Sequence, residues 1–348
     1  MNKIKKLVAV ALSTVMITSI FIGCNKKSSG ATINFLNQGD YIDEDLLKKF
    51  EKETGIKVNY ESFDTNEQMY QKLKSGANSY DLVIPSDYMI QRMIGEDMME
   101  KLNYDNIPNI KNIDTKFHKL PHDKNDEYTA PYMWGTVGIL YDSTKVKEPV
   151  NDWDILWNSK YENQIIMYDS MRESMGIALQ KLGYSLNSIK DEEIKKAEEE
   201  LIKQKPLVRA YMIDEMKERM AAGEAALAVA WSGDAVLIKD KNPNIKYVIP
   251  KHSNIWIDAM CIPKGAPHKE DAEKLINFLL DGENAKQNSE YIGYSTTNKA
   301  AFDLLDKEKQ EDKVAYPDEE SLKGLEYYSY LKDDIKKYEE AWIKVKSK

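Results

Sequence analysis

At 348 residues, 42% of them hydrophobic and 31% charged, the chain is long enough to fill two cores, because single cores stop growing near ~250–300 residues. Its net charge of −9 disfavours nucleic acid as a partner and favours cationic ligands, although acidity also serves solubility. Cys24 and Cys261 are too few for a disulfide framework, and His118, His122, His252 and His268 lie scattered without metal-ligand spacing, so neither a metal nor a cofactor is expected.

Residues 1–23 read as a secretory signal. Lys3, Lys5 and Lys6 precede an uncharged run over 7–23 that is too short and wrongly flanked for a membrane span. The run ends in "FIGC", residues 21–24, which resembles a bacterial lipobox with Phe21 where Leu is usual; Cys24 is then the lipidated first residue of the mature chain. Cleavage removes three lysines and no acid, taking the net charge from −9 to −12, and leaves Cys261 as a lone thiol. Residues 24–31 become a polar tether that holds the domain to the outer face of a membrane without spanning it.

Strand and helix signals then alternate. Residues 33–37 read as a strand, 43–55 as a helix that starts in acids, buries Leu47 and Phe50 and stops at Gly55, and 56–62 as a strand alternating Ile56, Val58 and Tyr60. A helix over 66–76 and an apolar strand over 80–86, broken by Pro85, complete the rhythm of a parallel α/β sheet. A second unit begins after "YTAPYMWGTVGILYD", residues 128–142. It holds a Trp-rich stretch at 151–161, a strand at 163–170, a helix at 175–183 and a charged helix at 191–205 whose Glu–Lys pairs mark a solvated face. An amphipathic helix ending at Gly223, a strand at 225–233, the strand "SNIWIDAMCIP" at 253–263 and a helix over 269–287 capped by Gly282 follow.

In open α/β sheets ligands bind beyond the carboxyl ends of strands. Four of these strands end in polar or aromatic residues there: Asp40 and Tyr41, Ser86 and Tyr88, Asp169 to Glu173, and Trp231 with Ser232. Trp256 and Asp258, two apart on one strand, present an indole and a carboxylate on the same face. Rings alternating with carboxylates suit an organic cation with apolar segments. The carboxylates neutralise ammonium groups, each buried methylene gains about 0.8 kcal/mol, and a ring face adds about 0.5–2 kcal/mol. Paired carboxylates near Trp also fit a glycosidase-like hydrolase, so that class stays open at this level. No GxSxG elbow, P-loop or GxGxxG is present.

The stretches "FEKETGIKVNYESFDTNEQMYQKLKSG", "YDLVIPSDYMI", "APYMWG", "MRESMGIALQKLGYS", "IWIDAMCIP", "KLINFLL" and "YIGYSTTNKAA" together resemble the spermidine/putrescine-binding proteins of polyamine ABC transporters, from about residue 33 to the C-terminal helix. The resemblance implies a two-lobed α/β fold of periplasmic binding protein type II. Lobe 1 is drawn as 32–134 plus 259–299 and lobe 2 as 135–258 plus 300–348, with hinge crossings at 133–137 and 256–260. It implies Asp40, Glu173 and Asp258 as the carboxylates, Tyr41, Tyr88, Trp231, Trp256 and Tyr294 as the rings, and Ser86 as a hydroxyl.

Three positions depart from the family. Gln38 stands where Trp is frequent, Ser170 aligns with a carboxylate that the adjacent Asp169 replaces, and Tyr328 aligns with a Gln. The function implied is capture of a polyamine outside the cytoplasm and delivery to a permease and ATPase, with no catalysis. The rivals are the hydrolase and a same-fold receptor for an amino acid, thiamine or ferric ion. Arg172 is the one arginine placed near the cleft to meet an amino acid's carboxylate.

Overall fold

The computed structural model of the chain describes residues 30–76 and 79–348. The signal segment, Cys24 and most of the tether lie outside the described residues. The described chain forms an 11-stranded sheet. Its strands are β1 Thr32–Gln38, β2 Lys57–Phe63, β3 Leu82–Val83, β4 Met99–Glu100, β5 Thr129–Asp142, β6 Ile165–Tyr168, β7 Val208–Met212, β8 Leu227–Trp231, β9 Ile245–Val248, β10 Ile255–Pro263 and β11 Ser295–Thr296.

The first half follows the expected rhythm. Helix Glu44–Thr54 carries β1 to β2; Asp43 caps it by accepting the Asp45 N–H, and Gly55 closes it at φ 74°, a left-handed conformation glycine adopts without strain. Its buried face is Leu46, Leu47 and Phe50. β1 pairs in parallel with β2 and with β3. In the second half β6 pairs in parallel with β7 and β8.

β5 is shared by the halves, and β10 carries the chain from the second back into the first. β5 is 14 residues long and buried almost throughout. Its first part pairs with β10 and β11, its last part with β8 and β9, and the partner changes between Thr136 and Val137. β10 runs antiparallel to β5 from Ile255 opposite Thr136 to Cys261 opposite Thr129, and meets β3 at Cys261–Val83. The sheet path is therefore β2-β1-β3-β10-β5-β8-β6-β7, a two-lobed α/β architecture of periplasmic binding protein type II.

Helix Asp191–Gln204 buries Ile194, Ala197 and Leu201 against Tyr338, Ala341 and Val345 of helix Ile335–Ser347. Its outer face is solvated and carries the Glu192–Lys196 pair at 2.8 Å.

Three expectations need correction. The strand expected over 80–86 is only Leu82–Val83, because Pro85 has no N–H to give a ladder and helix Asp87–Gly95 starts just after it. The helix expected over 269–287 is two helices, Lys269–Leu279 and Gly282–Ile292. Asp281 accepts the Glu283 and Asn284 N–H groups, so Gly282 opens the second helix instead of closing the first. The helix expected at 175 begins at Met171, which puts Glu173 in its first turn.

Candidate functional site

Side chains from both halves gather where β5 and β10 cross. The β5–β10 register slips between Asp258 and Ala259, at a carboxylate only 4% exposed. Tyr41 donates its hydroxyl to Asp258 Oδ2 at 2.7 Å, and Gln38 Nε2 donates to the same oxygen at 3.3 Å. Ser86 forms an antiparallel bridge with Asp258 and is fixed by Asn66, which bonds both its amide and its hydroxyl at 3.0 Å. Burial pushes Asp258 up to about 6, against the opposing pull of Ser86, Tyr41 and Gln38. Its other oxygen, Oδ1, is buried with no hydrogen-bond partner of good geometry. An orphaned carboxylate oxygen is costly to the folded protein and favours an incoming donor, above all a charged one.

A row of rings leads away from this carboxylate. Tyr41 meets Tyr294 edge-on at 5.5 Å between centroids, and Tyr294 meets Trp256 at 5.5 Å. Two glycines let the rings lie on backbone: a Cβ at Gly135 would sit 2.5 Å from the Trp256 indole, and one at Gly233 would sit 2.4 Å from the Tyr294 ring. Tyr294 donates to Asp234 Oδ1 at 2.9 Å, and Tyr168 donates to Asp234 Oδ2 at 3.5 Å. The Trp231 ring lies against Tyr168 at 4.4 Å, and the Trp231 backbone N–H donates to the Tyr168 hydroxyl at 2.7 Å. Burial pushes Asp234 up to about 6. Trp256 is 7% exposed and its indole N–H is unpartnered.

A second group forms around Glu173. The Ser170 hydroxyl donates to the Glu173 carboxylate. Burial raises Glu173, Ser170 opposes the rise, the Glu67 charge adds to it and Arg172 opposes it. Tyr88 meets Tyr328 edge-on at 6.2 Å and donates to Glu67 Oε1 at 3.0 Å. Arg172 lies over the Tyr328 ring at 4.6 Å and the Tyr88 ring at 5.9 Å. Its Nη2 donates to Asn187 at 3.0 Å, and Nε and Nη1 are buried without partners. Tyr328 in turn donates to the Arg172 carbonyl at 3.0 Å.

Of the residues anticipated from the sequence, Gln38, Tyr41, Ser86, Trp256, Asp258 and Tyr294 come together around one carboxylate, with Trp231 reached through Tyr168 and Asp234. Ser170, Glu173, Tyr88 and Tyr328 form the second group. Asp40 is exposed on its loop at φ 48°, outside both groups. Asp169 is also exposed, and its carboxylate pairs with Lys346 at 2.8 Å, away from Glu173. Asp87, Asp234, Tyr168 and Glu67 escaped the sequence reading; Tyr168 closes an apolar strand and Asp234 stands two residues after Ser232, so position relative to strand ends was their available signal.

Two α/β halves bound by shared strands, with buried acids and rings at the crossing, define a solute-binding protein. The family model of bacterial extracellular solute-binding proteins matches residues 45–317, and the chain belongs to that family. It is 39% identical over 320 residues to the spermidine/putrescine-binding periplasmic protein of Escherichia coli, covering 91% of this chain and 92% of that one. It is 31% identical to the putrescine-binding periplasmic protein PotF of the same organism, covering 91% of each. The solved structure of the spermidine/putrescine ABC transporter substrate-binding protein PotD from Streptococcus pneumoniae superposes with a TM-score of 0.80 at 43% identity, over 91% of this chain and 99% of that one.

Proposed function

We propose that this chain is an extracytoplasmic receptor that captures spermidine or putrescine in the groove between its halves and delivers it to an ABC permease and its ATPase. The observation that carries the reading is the orphaned Oδ1 of Asp258 beside the Tyr41–Tyr294–Trp256 row, with Glu173 held by the other half. Relatives named for spermidine and putrescine support it. Asp258 and Glu173 neutralise ammonium groups; Asp40, exposed on its loop outside both groups, is not supported by the structure as the third carboxylate. Tyr41, Tyr88, Trp231, Trp256 and Tyr294 wall the methylene chain and Ser86 supplies a hydroxyl. Gln38, Ser170 and Tyr328 tune the choice between diamine and triamine, a role from which the Lys346 pair withdraws Asp169.

The lobes drawn as 32–134 plus 259–299 and 135–258 plus 300–348 close on the cation about the two crossings, because only the closed form completes the cage. The change of ladder partner at Thr136/Val137 falls two residues past the first cut and within the 133–137 crossing, which it supports. Cys24 carries the lipid that keeps the receptor at the membrane, and the protein performs no chemistry on its ligand. Calorimetric titration with spermidine, putrescine, spermine and cadaverine should give saturable binding near ~1 μM, about −8 kcal/mol, for at least one of the first two. Flat traces for all four amines end this reading.

A further inference from the structure

Helix Asp87–Gly95 opens with a carboxylate that none of the roles above uses. Asp87 is 1% exposed; Oδ1 accepts the Tyr88 N–H at 2.6 Å, while Oδ2 is buried with no partner of good geometry, although the Ile257 amide also acts on the carboxylate. The residue follows Ser86, the antiparallel bridge partner of Asp258, so the second buried acid lies beside the first. Each has an unpartnered oxygen, and their charges oppose one another. Arg172 is the cation that acts on Asp87, yet it forms no ion pair, and its Nε and Nη1 stay unpartnered. Two buried carboxylates, each short of a donor, are stable together only when they are neutralised. A primary ammonium brings one positive charge and three N–H donors, enough for both.

We infer that Asp87 is a further ligand carboxylate, sharing with Asp258 one primary ammonium group of the bound amine. The inference rests on the polyamine reading. Burial raises Asp87 well above the usual carboxylate range, the Tyr88 amide opposes this, and Asp258 adds to it. Cation binding therefore ionises Asp87 and releases its proton. The charged or titratable groups that face Asp87 are Asp258 from β10, Arg172 from helix Met171–Lys181, and Tyr327 and Tyr328 from the C-terminal segment.

The test titrates the full chain with putrescine and spermidine in buffers of different ionisation enthalpy, which counts protons released per amine bound, and compares wild type with Asp87→Asn. The same pair in an Asp258→Asn background removes the Asp258 proton from the count. Asp87→Asn should weaken both amines by roughly tenfold or more and lower proton release in both backgrounds, while Asp87→Glu restores part of each. Unchanged affinity overturns the inference. So does weaker binding with unchanged proton release, which assigns Asp87 to Arg172 and to the seating of its helix. If wild type and Asp87→Asn are equally inert to both amines, the polyamine reading falls and this inference falls with it, an outcome distinct from a variant that binds as wild type does.

Discussion

Asp258 sits among donors from one half of the molecule: Gln38 at the end of β1, Tyr41 on the loop beyond it, and Ser86 at the bridge. Glu173 instead sits at a helix start in the other half, beside Ser170 and Arg172, acts on Tyr328 of its own half, and feels the charge of Glu67 and acts on Tyr88 from the first half. The first end is held by hydrogen bonds within the structure; on the closure proposed above, contact between the halves completes the second. A receptor built this way can seat one ammonium first and use the second to stabilise the closed state, so the two ends should answer differently to mutation, pH and ring loss.

The largest effect is expected at the organised end. Asp258→Asn should cost about 2–5 kcal/mol of polyamine binding, because an ammonium loses its buried partner. The same change should raise the melting temperature of the unliganded protein at neutral pH, since moving this carboxyl from 3.8 to about 6 corresponds to about 3 kcal/mol of strain in the charged state. Glu173→Gln should cost less, about 1.5–3 kcal/mol, and reduce the ligand-induced compaction seen by small-angle scattering more than it reduces first contact. Should Glu173→Gln exceed Asp258→Asn in lost affinity, the ordering of the two ends is wrong.

Acid provides the second discrimination. Asp258 must be ionised to hold an ammonium, so affinity should fall as pH drops through about 6. Stability of the free protein runs the other way. The folded carboxyl binds its proton more tightly than the unfolded one, so between about 4 and 6 the folded state holds more protons, and stability declines as pH rises through that window and then levels. Asp234, also near 6, adds the same sign. Melting curves and titrations at matched pH values test both slopes.

The smallest effect is expected from Tyr294→Phe. It removes the 2.9 Å bond to Asp234 and keeps the ring, so it should lower stability by about 0.5–1.5 kcal/mol and leave polyamine affinity nearly unchanged. A large loss of affinity would show that the hydroxyl itself serves the ligand.

The alternation of Ile56, Val58 and Tyr60 and the Gly55 stop made β2 and its helix readable, because local periodicity and capping decide such elements. Tyr41 was reachable from its place beyond a strand end and Asp258 from its alternation with Trp256, whereas their bond, across 217 residues of chain, was not. The acids were harder. Asp87 and Asp234 look like ordinary first-turn helix residues, and nothing local announces that both are buried. Asp169 lies among the expected site residues in sequence, but Lys346, far downstream, draws its carboxylate outward. Pairings set by tertiary packing leave no trace in a short window.

β5 runs unbroken through both halves of the sheet. Neither half can melt without stripping a ladder from its neighbour, so heat should find a single cooperative unit where the outline suggests two. An opening of the kind proposed above would likewise be absorbed as torsion within β5 and its neighbour β10.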